Sequence, residues 1–265
     1  MNQRPDNIFN LLLAGTFERS EVRTTWTPAK RTLPRELQRK IDAFWELEVT
    51  RTARKSYLFN GGLGRLECWQ AEQHRLQLDL GWTSYKELLY SNRFGREITA
   101  QFGEACLSRA LGISAVLLSS GWQVILIQRS EAVGEFPGKL DVLGGHIDPQ
   151  EHAVAGVPDP FVAIRAEISE EVGLDLGVND SLVCLGLIET RATQKPELIF
   201  AARTGRSAEQ ILQRSRIDPC SELTRVFAVA GSPESLADFL LQNQQRLSPS
   251  AYGALWLFRQ SLGRT

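Results

Sequence analysis

The sequence predicts an α/β fold of the α+β kind: a sandwich of helices around a mixed sheet, preceded by a smaller N-terminal α+β domain. Three observations carry this. From Ile113 onward, apolar runs of strand length (ISAVLLSS, WQVILIQRS, SLVCLGLIET, ELIFAART and TRVFAVA) recur between segments of helical periodicity. One helix among them, at Phe161–Val172, carries explicit start and stop signals. The first 105 residues differ in charge, with 16 basic and 13 acidic side chains against 14 and 18 in the remainder.

Taken in order, the basic segment Arg19 to Pro34 reads as an extended arm, and LPRELQRKIDAFWELE as an amphipathic helix with Leu37, Ile41, Phe44, Trp45 and Glu48 at helical spacing. Strand-like runs follow around Tyr57–Phe59, Leu63–Trp69 and Leu76–Leu80, then a helix that starts at Thr83 and Ser84 and continues through Tyr85, Leu88 and Leu89. Ser-Gly between the first two apolar runs signals a hairpin. Further helices are expected at Ala208–Gln213, Pro233–Gln244 and Pro249–Leu262. The resulting division is an N-terminal domain over residues 1–105 and a second domain over 106–265.

With 30 Lys+Arg against 31 Asp+Glu, the net charge of −1 excludes a bulk polyanion binder, and 43% hydrophobic residues exclude a disordered chain. No nucleic-acid partner is expected. Cys68, Cys106, Cys184 and Cys220 form no paired motif and are expected as free thiols of a reducing compartment. The apolar run in MNQRPDNIFNLLLAG is too short for a secretory leader, and no stretch reaches the roughly 18 apolar residues of a membrane span. These readings imply a cytoplasmic protein with no membrane partner.

The chemistry is concentrated in GGHIDPQEHAVAGVPDPFVAIRAEISEEVGL, residues 144–174. Asp159 suits the helix N-cap, Pro160 the first helical position and Gly173 the C-terminal cap. Phe161, Ile164, Ile168 and Val172 form one apolar stripe. At about 100° per residue, Glu167, Glu170 and Glu171 gather in one sector beside it, where they repel one another. A solvated acidic face tolerates that cost. A hard divalent cation, Mg²⁺ with Mn²⁺ as its substitute, removes it, aided by a carbonyl from the Gly144-Gly145 turn. Such a site suits attack of water on a phosphoanhydride.

The segment resembles the Nudix box, G-x5-E-x7-R-E-U-x-E-E-x-G-U with U a bulky aliphatic residue. Gly145 and Glu151 match its start; Glu167, Ile168, Glu170, Glu171, Gly173 and Leu174 match its end. Residues 152–165 separate Glu151 from the position before Glu167, where the family has seven residues, and Ala166 stands in place of its Arg, with Arg165 one position earlier. The resemblance extends to the divergent branch that hydrolyses UDP-glucose and UDP-galactose, through FWELE, LGWTSYKELLYSN, LGISAVL, QRSEAVGEFPGKLDVLGGHIDPQ and SAYGALWLF. It implies a Nudix α/β/α sandwich that splits a nucleotide sugar into UMP and a hexose 1-phosphate.

The same resemblance implies metal ligation by Glu167, Glu170, Glu171 and Gly145, with Glu197 as a further candidate. The catalytic carboxylates are then Glu170, Glu171 and Glu151, and the choice of general base among the acidic groups stays open. Arg129 is a candidate phosphate clamp, His146 a candidate phosphate contact, and Thr83, Ser84, Tyr85 and Asn92 are candidate nucleobase contacts. Hydrolysis of coenzyme A or another nucleoside diphosphate derivative is an alternative, as is a nucleotide sensor without turnover.

Overall fold

The computed structural model describes residues 7–52, 58–215 and 222–263. Tyr57 and Cys220 lie outside the described residues; Cys68, Cys106 and Cys184 are free thiols. No helix among the described residues is long and apolar enough to cross a membrane.

The chain begins with β1 (Phe9–Phe17), β2 (Val22–Lys30), α1 (Arg35–Thr52), β3 (Gly62–Glu72), β4 (Arg75–Ser84) and α2 (Tyr85–Phe102). The extended arm is thus a strand in its own right: β2 pairs in parallel with β4, whose other edge carries β3 antiparallel. The second helix starts at Tyr85 behind Ser84, as its sequence indicates, but runs ten residues beyond Asn92 with a kink at Phe94.

β5 (Gly112–Leu118) and β6 (Gln123–Arg129) form the predicted hairpin, followed by the short strands β7 (Leu140–Asp141) and β8 (Leu143–His146). After β9 (Ala153–Val154) and β10 (Val157–Pro158) come α3 (Pro160–Val172), β11 (Ser181–Thr190), β12 (Pro196–Arg203), α4 (Ala208–Arg214), β13 (Leu223–Ala230), α5 (Pro233–Asn243) and α6 (Pro249–Leu262). The main sheet has the order β1-β11-β12-β5-β6-β13, with β7 on β6 and β8 on β5. Only β12 and β5 run parallel along this path, so the sheet is mixed.

Helices cover both faces. On one, Phe161, Ile164 and Ile168 of α3 pack with Ile113, Ala115, Ile125 and Phe200. On the other, Ala251, Ala254, Leu255 and Phe258 of α6 meet Val116, Leu126, Leu185 and Ile199. Alternating residues of one strand feed opposite faces, as the pleat requires.

β1 is the element the sequence did not announce. Leu12 and Leu13 pack against the α3-side core, Leu11 and Ala14 against the α6 side. A strand covered on both faces shows a continuous apolar run rather than alternation, and three leucines in a row carry no periodicity to detect. Its pairing with β11 takes the N-terminus across the expected boundary at residue 105. The core is likewise continuous there: Leu66, Leu76, Leu78 and Leu80 of the small sheet share one cluster with Leu111 and Ile113.

The insertion ahead of α3 is not a bare loop. Residues 153–158 fold into the β9–β10 hairpin, turned by Ala155 and Gly156 at φ 51° and 80°, the positive values that a tight two-residue hairpin turn demands. The hairpin rests on β2, where the Thr24 hydroxyl donates to the Pro158 carbonyl at 2.8 Å.

Candidate functional site

α3 is held at both ends. The Asp159 carboxylate accepts from the amides of Phe161 (2.8 Å) and Val162 (3.2 Å), and Gly173 closes the helix in the left-handed region at φ 64°. Its buried stripe leaves no rotational freedom, so Glu167 and Glu171 are carried against the turn of β8. There the Gly144 amide donates to Glu171 Oε2 at 3.0 Å. A side chain at Gly144 would collide with the Ile113 carbonyl, and one at Gly145 with the Glu167 carboxylate; the two glycines exist for this approach.

The turn and the helix bound a cavity of about 590 Å³, within the range of small-molecule sites. Glu151, Glu167, Glu170, Glu171 and Gly145 all line it. Burial, reinforced by the neighbouring charges of Glu170 and Glu222, pushes the Glu167 carboxyl up to about 7. Burial and the charge of Glu167 push Glu171 well above the ordinary carboxylate range. Glu170 and Glu151 are exposed to the cavity.

Among the described residues no three acidic, histidine or cysteine side chains close into a group that could hold an ion unaided. Two half-buried carboxylates with elevated proton affinity nevertheless fit a hard cation that is shared with substrate oxygens and water. That is the habit of Mg²⁺, which keeps several waters and takes one or two carboxylates plus phosphate.

Of the candidate substrate contacts, Arg129, Tyr85 and His146 line the cavity. Arg129 is held in the wall: its Nε donates to the Glu135 carbonyl at 2.9 Å and its Nη1 stands 3.5 Å from Asp141. Thr83, Ser84 and Asn92 do not line the cavity. The Thr83 and Ser84 hydroxyls are fully buried and donate to Glu87 at 3.2 and 3.3 Å, while Asn92 donates to Glu135 at 2.8 Å. Asn92 thereby props Glu135, a wall residue, from behind, whereas Thr83 and Ser84 are turned inward at the helix start.

Glu197 lies in the cavity wall, buried at the start of β12. It accepts from the Ser114 hydroxyl at 2.7 Å and sits 3.3 Å from the Lys195 ammonium. Arg165 does not take over from the Arg missing at Ala166; its Nη1 donates to the Leu176 carbonyl at 2.9 Å, beyond the end of α3.

Sequence reasoning passed over Glu135, Asp141, Lys195 and Glu222, all in the cavity wall. Lys195 is buried against Glu135 Oε1 at 3.2 Å, and His146 Nε2 lies 3.2 Å from Glu135 Oε2. Burial alone would raise the Glu135 carboxyl, but Lys195 and then His146 and Arg129 hold it down to about 2. Burial and the Lys195 charge push the His146 imidazole down to about 3, so it is neutral near pH 7. In GEFPG and TQKPE these charged residues look like turn surface, and no local spacing marks them as partners.

No family model matches the chain. It is 28% identical over 288 residues to the uridine diphosphate glucose pyrophosphatase NUDT22 of Mus musculus, covering 93% of this chain and 88% of that protein. The Homo sapiens protein of the same name is 29% identical over 262 residues, covering 84% and 82%. Nudix hydrolase 9 of Arabidopsis thaliana is 23% identical over 227 residues, with 72% of each chain covered. Among solved structures, the MutT protein from Methanosarcina mazei Go1 matches 58% of this chain and 95% of its own at 17% identity and a TM-score of 0.41.

Proposed function

We propose that this chain, a divergent relative of the Nudix hydrolases, splits the diphosphate of a nucleoside diphosphate sugar in a Mg²⁺-dependent reaction. UDP-glucose or UDP-galactose plus water gives UMP and a hexose 1-phosphate. One observation carries the reading: Glu167 and Glu171 are held side by side against a two-glycine turn at the wall of a cavity of substrate size, at a cost that only a cation or protons offset. The similarity to uridine diphosphate glucose pyrophosphatases over most of the chain selects the nucleotide sugar.

Glu167, Glu170, Glu171 and the Gly145 carbonyl would hold the cation, which supplies charge compensation to these carboxylates and to the diphosphate oxygens. Glu197 is left out of this set, since its carboxylate is engaged by the Ser114 hydroxyl and the Lys195 ammonium. Arg129, fixed through the Glu135 carbonyl and Asp141, presents its guanidinium to a phosphate. Glu170 and Glu151 are the exposed carboxylates within reach of water, and one of the two takes its proton as it attacks phosphorus. Neutral His146 donates or accepts a hydrogen bond at the cavity wall without adding charge. The first 105 residues serve recognition, through Leu58–Leu63 and Tyr85 in the cavity wall.

The test is product separation after incubation with Mg²⁺ and, in turn, UDP-glucose, UDP-galactose, ADP-ribose, dinucleotides and coenzyme A. UMP with hexose 1-phosphate is expected. Turnover of coenzyme A alone, or of nothing, contradicts the proposal.

A further inference from the structure

Phe59 is a large apolar side chain left 81% exposed, and it stands in the wall of the same cavity. Packing contributes little to its placement, because a ring this exposed buries little apolar surface. Its segment is fixed nonetheless: the Tyr85 amide donates to the Gly61 carbonyl at 3.0 Å, and the Asn60 side chain accepts from the Lys86 amide at 2.9 Å. The backbone that follows the ring is thereby anchored to the start of α2.

Tyr85 continues this wall. Trp45 packs edge-on against its ring at 6.3 Å between centroids, and its hydroxyl forms no hydrogen bond among the described residues. Across from it runs the segment Val133–Gly134. A Cβ on Gly134 would stand 2.6 Å from the Tyr85 hydroxyl, so only glycine lets the backbone come this close. The backbone N–H and C=O of Val133 and Gly134 form no hydrogen bond among the described residues. With Leu58 and Phe136, these groups make an apolar, aromatic part of a cavity whose other part is acidic.

We infer that Phe59 and Tyr85, with the Val133–Gly134 backbone, form the nucleobase subsite of the cavity. This rests on the reading that the substrate is a nucleotide sugar, and it names what reads the base. A uracil ring offers a flat face for Phe59 and an edge with one N–H donor and two carbonyl acceptors. The edge is matched by backbone groups and the Tyr85 hydroxyl, which need no charge. A base seated here leaves its diphosphate to reach the acidic part of the same cavity. Phe59 stacks on substrate and so acts on affinity rather than on the chemical step.

The experiment compares the full chain with Phe59→Ala and Phe59→Trp in three readouts: UDP-glucose kinetics, UMP binding by calorimetry, and ribose 5-phosphate binding as a base-free control. Phe59 is exposed, so neither variant threatens folding. Phe59→Ala is expected to raise KM and weaken UMP about tenfold, the size of a base–aromatic stack, with kcat and ribose 5-phosphate binding unchanged and Phe59→Trp restoring affinity. If the parent hydrolyses UDP-glucose and Phe59→Ala keeps its KM and UMP affinity, the subsite assignment is wrong and the proposed function stands. If the parent neither turns over UDP-glucose nor binds UMP, both fall.

Discussion

The Gly144 amide donates to the Glu171 carboxylate at 3.0 Å, joining the glycine turn to the acidic helix at a residue whose charge is disfavoured by its surroundings. The bond holds one Glu171 oxygen, and the Glu167 charge beside it raises the cost of ionisation. A chain that aims an amide at a carboxylate while crowding it with another stores a demand for positive charge.

Removing that crowding shows in stability. Glu171→Gln keeps an oxygen to accept the Gly144 hydrogen but carries no charge. In EDTA at pH 8 its Tm is expected to exceed that of the parent. Added Mg²⁺ is expected to raise the parent Tm and to raise the variant Tm less. Differential scanning fluorimetry with a Mg²⁺ titration measures both.

The pH profile without metal carries the same signature. Glu167 has a folded-state value of about 7 against an ordinary 4.5. Its protonated form is favoured by folding, so its stabilising contribution is complete below about pH 4.5 and is lost as pH rises through about 7. In EDTA, the parent Tm should fall across that window more than the Tm of Glu167→Gln. Saturating Mg²⁺ should flatten the difference. A flat parent profile in EDTA counts against the crowded acidic pair.

Lys195 is the counter-charge on which Glu135 and Glu197 depend. Lys195→Met strands two buried carboxylates and is expected to cost roughly 3–5 kcal/mol of stability, as breaking a buried pair does. The double variant Lys195→Met/Glu135→Gln recovers part of that loss. Urea unfolding of the parent, the two single variants Lys195→Met and Glu135→Gln, and the double variant gives the comparison, and additive losses contradict the coupling.

Asp159 caps α3 and also pairs with Arg19 at 2.5 Å. Asp159→Ala is expected to cost about 1 kcal/mol, through the cap rather than the exposed ion pair, lowering Tm by about 2–4 °C. Arg19→Ala is expected to change Tm far less. Equal losses in the two variants would falsify the capping account.

Much of the carboxylate site was legible because it is local. Asp159, Pro160 and Gly173 mark the ends of α3, and the spacing of Glu167, Glu170 and Glu171 against one apolar stripe puts them on one side of it. What was hidden is non-local. Lys195 meets Glu135 across 60 residues and Asp141 faces Arg129 across 12, contacts that no window of periodicity sees. Thr83 and Ser84 were read as nucleobase contacts because their hydroxyls could bond the edge of a base. The packing of α2 instead buries them on Glu87. β1 escaped notice for the opposite reason, since both of its faces are covered.

The central claim is that the paired carboxylates on α3, with Mg²⁺, cleave a nucleotide sugar. The most direct measurement is UMP formation from UDP-glucose by the parent and by Glu171→Gln, with Mg²⁺ titrated in from EDTA. The account predicts no product in EDTA, turnover that saturates with Mg²⁺ in the parent, and a loss on the order of 10²–10³ in kcat in the variant, the scale of removing one electrostatic stabiliser. Equal turnover by both proteins, or turnover undiminished by EDTA, would contradict it.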